Sequence, residues 1–117
     1  MNTTKSDFHI HSRYSPDSLL SIDALIKRCI RKRLGLIAIT DHNSIQGALE
    51  ARENSPFPVI IGEEVTTADG ELTGLFLKEL VPKGLSAQET VKIIKSQKGL
   101  VSVPHPFDTF RRNVISK

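Results

Sequence analysis

The chain holds four histidines, and each lies at the end of a short apolar run. His9 and His11 close Ser6-Asp7-Phe8-His9-Ile10-His11. His42 follows Leu36-Ile37-Ala38-Ile39-Thr40-Asp41, and His105 follows Leu100-Val101-Ser102-Val103-Pro104. A fourth run, Val59-Ile60-Ile61-Gly62, leads into paired carboxylates, Glu63 and Glu64. Imidazole and carboxylate at the ends of successive strands are the donors that open-sheet and barrel proteins gather at one rim. Mixed ligation of this kind suits zinc, manganese or iron, whereas magnesium prefers an oxygen-only shell. Cations held there lower the pKa of a bound water and neutralise the oxygens of an ester as it breaks.

The spacing supports this chemistry position by position. In a strand, residues i and i+2 project to one face, so His9 and His11 can reach one ion. Asp17 offers a carboxylate one loop away, and His42 tips the next apolar run. Either Glu63 or Glu64 can bridge two cations, because a carboxylate has two oxygens. His105 sits on a stiff segment between two prolines. Taken singly, each has a plainer role: Asp17 as a turn or cap residue, Asp41 as a helix-entry carboxylate, His42 as a satisfied core histidine. Asp41 could also orient His42 or move a proton. Arg111 and Arg112, a few residues past His105, are either surface arginines or a guanidinium clamp on an anionic group.

These residues need elements to hold them. Phe8 to Ile10 reads as a strand, followed by a turn-rich loop. The stripe Ile22, Leu25, Ile26, Cys29 and Ile30 then predicts a helix from about Ser21 to Arg33, with Gly35 where the chain leaves it. Leu36 to Thr40 is nearly all apolar, as expected of a parallel strand covered on both faces. Ser44 can cap a second helix reaching about Glu53, which Ser55-Pro56-Phe57-Pro58 stops. A third strand begins at Val59, and Ala68-Asp69-Gly70 turns it into a hairpin with Leu72–Leu77. Ser86 with Glu89 forms a capping-box pattern for a helix ending before Gly99. Leu100–Val103 is the next strand. The series is α/β with a largely parallel sheet and one inserted hairpin.

At 117 residues the chain suits one domain with a modest core. It has no Trp and a single Tyr, which argues against a stacking platform for single-stranded nucleic acid. The net charge of +3 is concentrated in Lys27, Arg28, Arg31, Lys32 and Arg33. That cluster reads first as a solvated, dipole-matched end of a helix and second as a patch for anions; binding to nucleic acid is not otherwise indicated. Cys29, the single cysteine, excludes an internal disulfide and reads as a buried core residue. No signal-peptide core or transmembrane stretch is visible, so a cytoplasmic location without membrane partners is expected.

Together the motifs resemble the PHP (polymerase and histidinol phosphatase) domain family, close to its stand-alone predicted metal-dependent phosphoesterases. The resemblance is carried by Asp7-Phe8-His9-Ile10-His11-Ser12, Tyr14-Ser15-Pro16-Asp17-Ser18, Ile39-Thr40-Asp41-His42-Asn43, Gly62-Glu63-Glu64-Val65-Thr66 and Val103-Pro104-His105-Pro106-Phe107-Asp108. It covers nearly the whole chain, and implies residues 1–117 to be the N-terminal half to two-thirds of a distorted (β/α)7 barrel with two or three divalent metals at its rim. By resemblance, His9 and His11 bind one ion and Glu64 bridges it to a second that His105 also binds. Asp17 and His42 are half of a third site. Two departures stand out. Glu71 occupies a place just after the hairpin turn where many members have histidine, so the second site is altered or its ligand replaced. The family's later ligands, a histidine and an Asp-x-His motif, have no counterpart in this sequence. The expected activity is hydrolysis of a small phosphomonoester or nucleotide. The alternatives are a non-catalytic metal-binding module, as in some replicative polymerases, and an inactive truncated fragment.

Overall fold

The computed structural model describes residues 5–14 and 20–103. Five strands and three helices follow one another as β1 (Lys5–Ile10), α1 (Ile22–Arg31), β2 (Leu34–Ile39), α2 (Gln46–Asn54), β3 (Val59–Thr67), β4 (Gly70–Leu75), α3 (Ala87–Ser96) and β5 (Leu100–Ser102). The strands form one sheet in the order β1-β2-β3-β4-β5. β1, β2 and β3 pair in parallel, while β4 is antiparallel to both β3 and β5. The expectation of a largely parallel sheet therefore needs correcting at the hydrogen-bond level. The hairpin strand β4 stands between β3 and β5 instead of hanging off the sheet, so half the pairings are antiparallel. In direction, however, β1, β2, β3 and β5 all point the same way, and their C-terminal ends meet at one rim.

The sheet is curled. Asp7, Phe8 and His9 of β1 line a cavity of about 250 Å³ together with Thr73 and Leu75 of β4 and Ser102 of β5. Strands at opposite ends of the sheet order can share a cavity only if the sheet bends round on itself, as part of a barrel does. The architecture is α/β, a curled half-barrel.

The main core is formed by the helices and the strands they cover. Ile22, Leu25, Ile26 and Cys29 of α1, Ala48 and Ala51 of α2 and Ile94 of α3 pack with Ile37, Ile39, Ile61 and Val65 of the sheet. Their burial removes apolar surface worth roughly 25 cal/mol per Å². Ile30 does not join them and is half exposed. At 100° per residue it stands about 90° from the centre of the stripe formed by the other four, beyond the covered arc.

Ser21 caps α1 by accepting from the Ala24 N–H, and Ser86 and Glu89 form the full capping box on α3. The exit from α1 differs from expectation. Arg33, at φ 59°, takes the left-handed position that ends the helix, and Gly35 is already inside β2. Ser44 accepts from Gln46 N at 3.2 Å, but Ile45 holds the cap position of α2. The basic residues at 27, 28 and 31–33 are all exposed. No helix among the described residues is long and apolar enough to cross a membrane.

Candidate metal centre

Glu64 is the pivot of the site. Its side chain is only 4% exposed, and three histidines converge on it. Nε2 of His11 lies 3.0 Å and Nε2 of His9 3.4 Å from Oε1. Nδ1 of His42 lies 3.8 Å from the other oxygen, Oε2, and 3.4 Å from Oε2 of Glu71. Two donor clusters result, His9–His11–Glu64 and His42–Glu64–Glu71, each with its ligand atoms within 4.8 Å of one another. Glu64 belongs to both, with one oxygen directed to each. The imidazoles also touch: ring centroids are 4.9 Å apart for His9 and His11, and 4.6 Å for His11 and His42.

The spacing fits bound cations. With metal–ligand bonds of about 2.0–2.2 Å, neighbouring donors on one ion stand about 2.8–3.6 Å apart, depending on geometry. The contacts of 3.0, 3.4 and 3.4 Å fall within this range, and only the His42–Glu64 separation of 3.8 Å exceeds it. These clusters could hold divalent metal ions.

Local structure explains how the donors arrive. β1 carries a register shift between Asp7 and Ile10, a bulge of the kind that re-aims side chains beside functional sites. Within it, Asp7 accepts the His9 N–H at 3.0 Å. His9 Nδ1 lies 3.4 Å from the Thr40 hydroxyl, so its second ring nitrogen is held while Nε2 faces Glu64. Room for Thr40 comes from Gly62, where a Cβ would stand 2.7 Å from Thr40 Cγ2 and 3.0 Å from the Gly74 carbonyl. This is a physical reason for glycine two positions before Glu64.

His42 is held by extension of the sheet. Asn43, at φ 54°, donates its N–H to the Glu64 carbonyl at 3.0 Å, and Glu64 N–H donates to Asp41 at 2.9 Å. A parallel bridge thus pairs His42 with Glu64 beyond the end of β2. The Asn43 side chain completes the clamp, accepting from Thr66 N at 2.9 Å and donating to Thr66 Oγ1 at 3.1 Å. The pairs Glu64↔Thr73 and Thr66↔Glu71 put Glu71 on the same face of the hairpin as Glu64.

Asp41 is fully buried, and both its oxygens accept from Ser12, one from the backbone N–H and one from the hydroxyl. It is a positioning residue that ties the end of β1 to the end of β2. Ser12 in turn accepts from Tyr14 N, and Tyr14 donates to Glu50 of α2 at 2.8 Å. Cys29 is buried, and burial raises its thiol pKa, as expected of a core cysteine.

Glu63 points elsewhere. It is fully buried, its Oε1 accepts from Val81 N at 2.8 Å, and its Oε2 has no hydrogen-bond partner among the described residues. Burial raises its pKa to about 7, with the Val81 N–H pulling the other way.

Of the residues anticipated from sequence, His9, His11, His42 and Glu64 are brought together. Asp17, His105, Arg111 and Arg112 lie outside the described residues. Glu71, noted from sequence only as a departure, is a full member of the second cluster. Ser12 and Asn43 were not anticipated. Only their positions, directly after His11 and His42, could have drawn attention to them.

A family model for the PHP domain matches residues 7–103. The chain is 41% identical over 116 residues to the uncharacterized protein MJ1587 of Methanocaldococcus jannaschii, covering 88% of this chain and 68% of that protein. It is 39% identical over 113 residues to MJ0417 of the same organism, covering 97% of this chain and 44% of the other. Among solved structures it is similar to an amidohydrolase from Chromobacterium violaceum determined with bound sulfate and no metal. That match has a TM-score of 0.56 and 28% identity, and covers 78% of this chain and 32% of the other. The chain thus spans under half the length of MJ0417 and about a third of the amidohydrolase. With the motif set, the curled sheet and a family match over most of its length, the chain belongs to the PHP domain family of metal-dependent hydrolases.

Proposed function

We propose that this chain supplies the metal-binding rim of a phosphoesterase that cleaves a small phosphomonoester or nucleotide. The observation that carries the reading is the division of Glu64, one oxygen in each of two donor clusters. Adjacent divalent ions, when bound, supply an activated water and charge neutralisation for the phosphoryl oxygens. The chain's own residues do the rest. His9, His11 and Glu64 form one seat, and His42, Glu64 and Glu71 form the other. Thr40 and Asn43 fix the ring of His9 and the backbone beside His42. Asp41 holds Ser12 and with it the end of β1. The sulfate bound to the Chromobacterium amidohydrolase supports the reading, because sulfate has the shape of a phosphoryl group. Bound ions would be divalent, with zinc, manganese or iron favoured over magnesium by the imidazole donors.

The description of that neighbour as an amidohydrolase favours a second reading, hydrolysis of an amide at the same site. Manganese-loaded chain assayed with a nitrophenyl phosphate and with a matched nitroanilide separates the two. Phosphate release that disappears in Glu64→Gln is the expected result. Nitroaniline release with no phosphate release would reverse the assignment.

A further inference from the structure

The two clusters that meet at Glu64 are chemically unequal. The first offers two imidazole nitrogens and one carboxylate oxygen, His9 Nε2, His11 Nε2 and Glu64 Oε1. The second inverts the ratio, with His42 Nδ1 and two carboxylate oxygens, Oε2 of Glu64 and Oε2 of Glu71. Imidazole-rich seats select for zinc, whereas added carboxylates shift selectivity toward harder cations such as manganese. Charge acts the same way, because Glu71 adds a full negative charge to the second seat alone.

We propose that Glu71 makes this an asymmetric centre, in which the His9–His11 seat is the more zinc-selective and takes zinc first, while the His42–Glu71 seat is the less zinc-selective and holds manganese when zinc is limiting. Glu71 is well placed for the role. It lies 3.4 Å from His42 Nδ1, on the hairpin face it shares with Glu64, and its side chain is 21% exposed. The pairing of β4 beside β3 is what delivers this donor to the rim.

This inference rests on the metal-dependent reading above but not on the identity of the ester. The test reads binding, with no substrate present. Metal-depleted full-length chain is given one equivalent of zinc and then titrated with manganese. Free manganese is followed by electron paramagnetic resonance, and retained metals by elemental analysis. One zinc and one manganese per chain are expected. Glu71→Gln should keep the zinc and lose the manganese. Glu71→His should raise zinc-over-manganese selectivity at the second seat by about ten-fold or more, read from the amount of added zinc that displaces the bound manganese. Retention of manganese by Glu71→Gln, or unchanged selectivity in Glu71→His, would overturn the proposal. Wild-type chain that holds zinc but no manganese would do the same while leaving the metal-dependent reading intact. A failed phosphatase assay with both metals bound would instead count against the phosphoesterase reading alone.

Discussion

Glu63 and Glu64 are sequence neighbours in opposite environments. Strand alternation sends one carboxylate into the core and the other to the rim. Glu64→Gln is expected to lower bound zinc or manganese far more than Glu63→Gln, as read by elemental analysis after purification without chelator; equal losses would mean that the wrong carboxylate has been chosen. Glu63 has a different signature. Its pKa stands near 7 in the folded chain against 4.5 for an ordinary glutamate, so the folded state keeps a proton that the unfolded state gives up. Stability from the neutral carboxyl is therefore complete below about pH 4.5 and is lost as pH rises through about 7, a change on the order of 3 kcal/mol. Urea denaturation of metal-free chain at pH 5 and pH 8 should show this loss. Glu63→Gln, which keeps an acceptor for Val81 N–H and cannot ionise, should remove most of it. Parallel pH profiles for the two proteins would contradict the assignment.

At the scale of elements, the rim depends on a contact between the loop after β1 and the first turn of α2. A Cβ on Gly47 would stand 2.2 Å from Ser12 Oγ and 2.5 Å from Asp41 Oδ2, inside the Ser12–Asp41 pair. Gly47→Ala therefore forces that pair apart. We expect a loss of about 1–3 kcal/mol in stability, against the gain that Gly→Ala brings at an unobstructed helix site. Because Ser12 directly follows His11, zinc affinity at the His9–His11 seat should fall as well. Thermal melts with and without zinc check both effects: a Tm unchanged by the substitution would show that the clamp is slack. Asn43 plays the matching part for His42, joining the segment after β2 to Thr66 of β3.

For the whole molecule, the decisive property is the curl of the sheet. β1 and β5 are its outermost strands among the described residues, and each exposes a large apolar side chain, Phe8 at 48% and Leu100 at 57%. Among the described residues each donor cluster has three ligand side chains, while zinc and manganese take four to six, and paired ions must be held rigidly about 3.5–4 Å apart for ester cleavage. The chain spans 68% of MJ1587, so the longer protein has more residues from which to complete and brace the site. With matched manganese loading, MJ1587 is expected to hydrolyse a nitrophenyl phosphate at least about ten-fold faster than this chain. Equal turnover would mean that the described rim is sufficient by itself.

Much of this was open to a reading of the sequence, because it is written in local patterns. The 3.6-residue stripe of α1, the capping box at Ser86 and Glu89, the apolar run of β2 and the hairpin turn at 68–70 all depend on neighbours a few residues away. The metal reading was legible in part for the same reason: His-x-His encodes its geometry through strand alternation, while the choice of Glu64 over Glu63 came from the family resemblance. Long-range pairing had no such local trace. Placement of β4 between β3 and β5 depends on hydrogen bonds between segments far apart in sequence. That pairing brings Glu71 to His42, a partner that sequence spacing does not suggest. The commitment of Asp41 to Ser12 is also invisible locally, since the two stand 29 residues apart. His9, His11, His42 and Glu64, and the apolar runs that carry them, were legible in the sequence alone. Which donors stand together, and which carboxylates face the core and which the rim, was decided by the curl and order of the sheet, because only tertiary pairing sets distances across the rim.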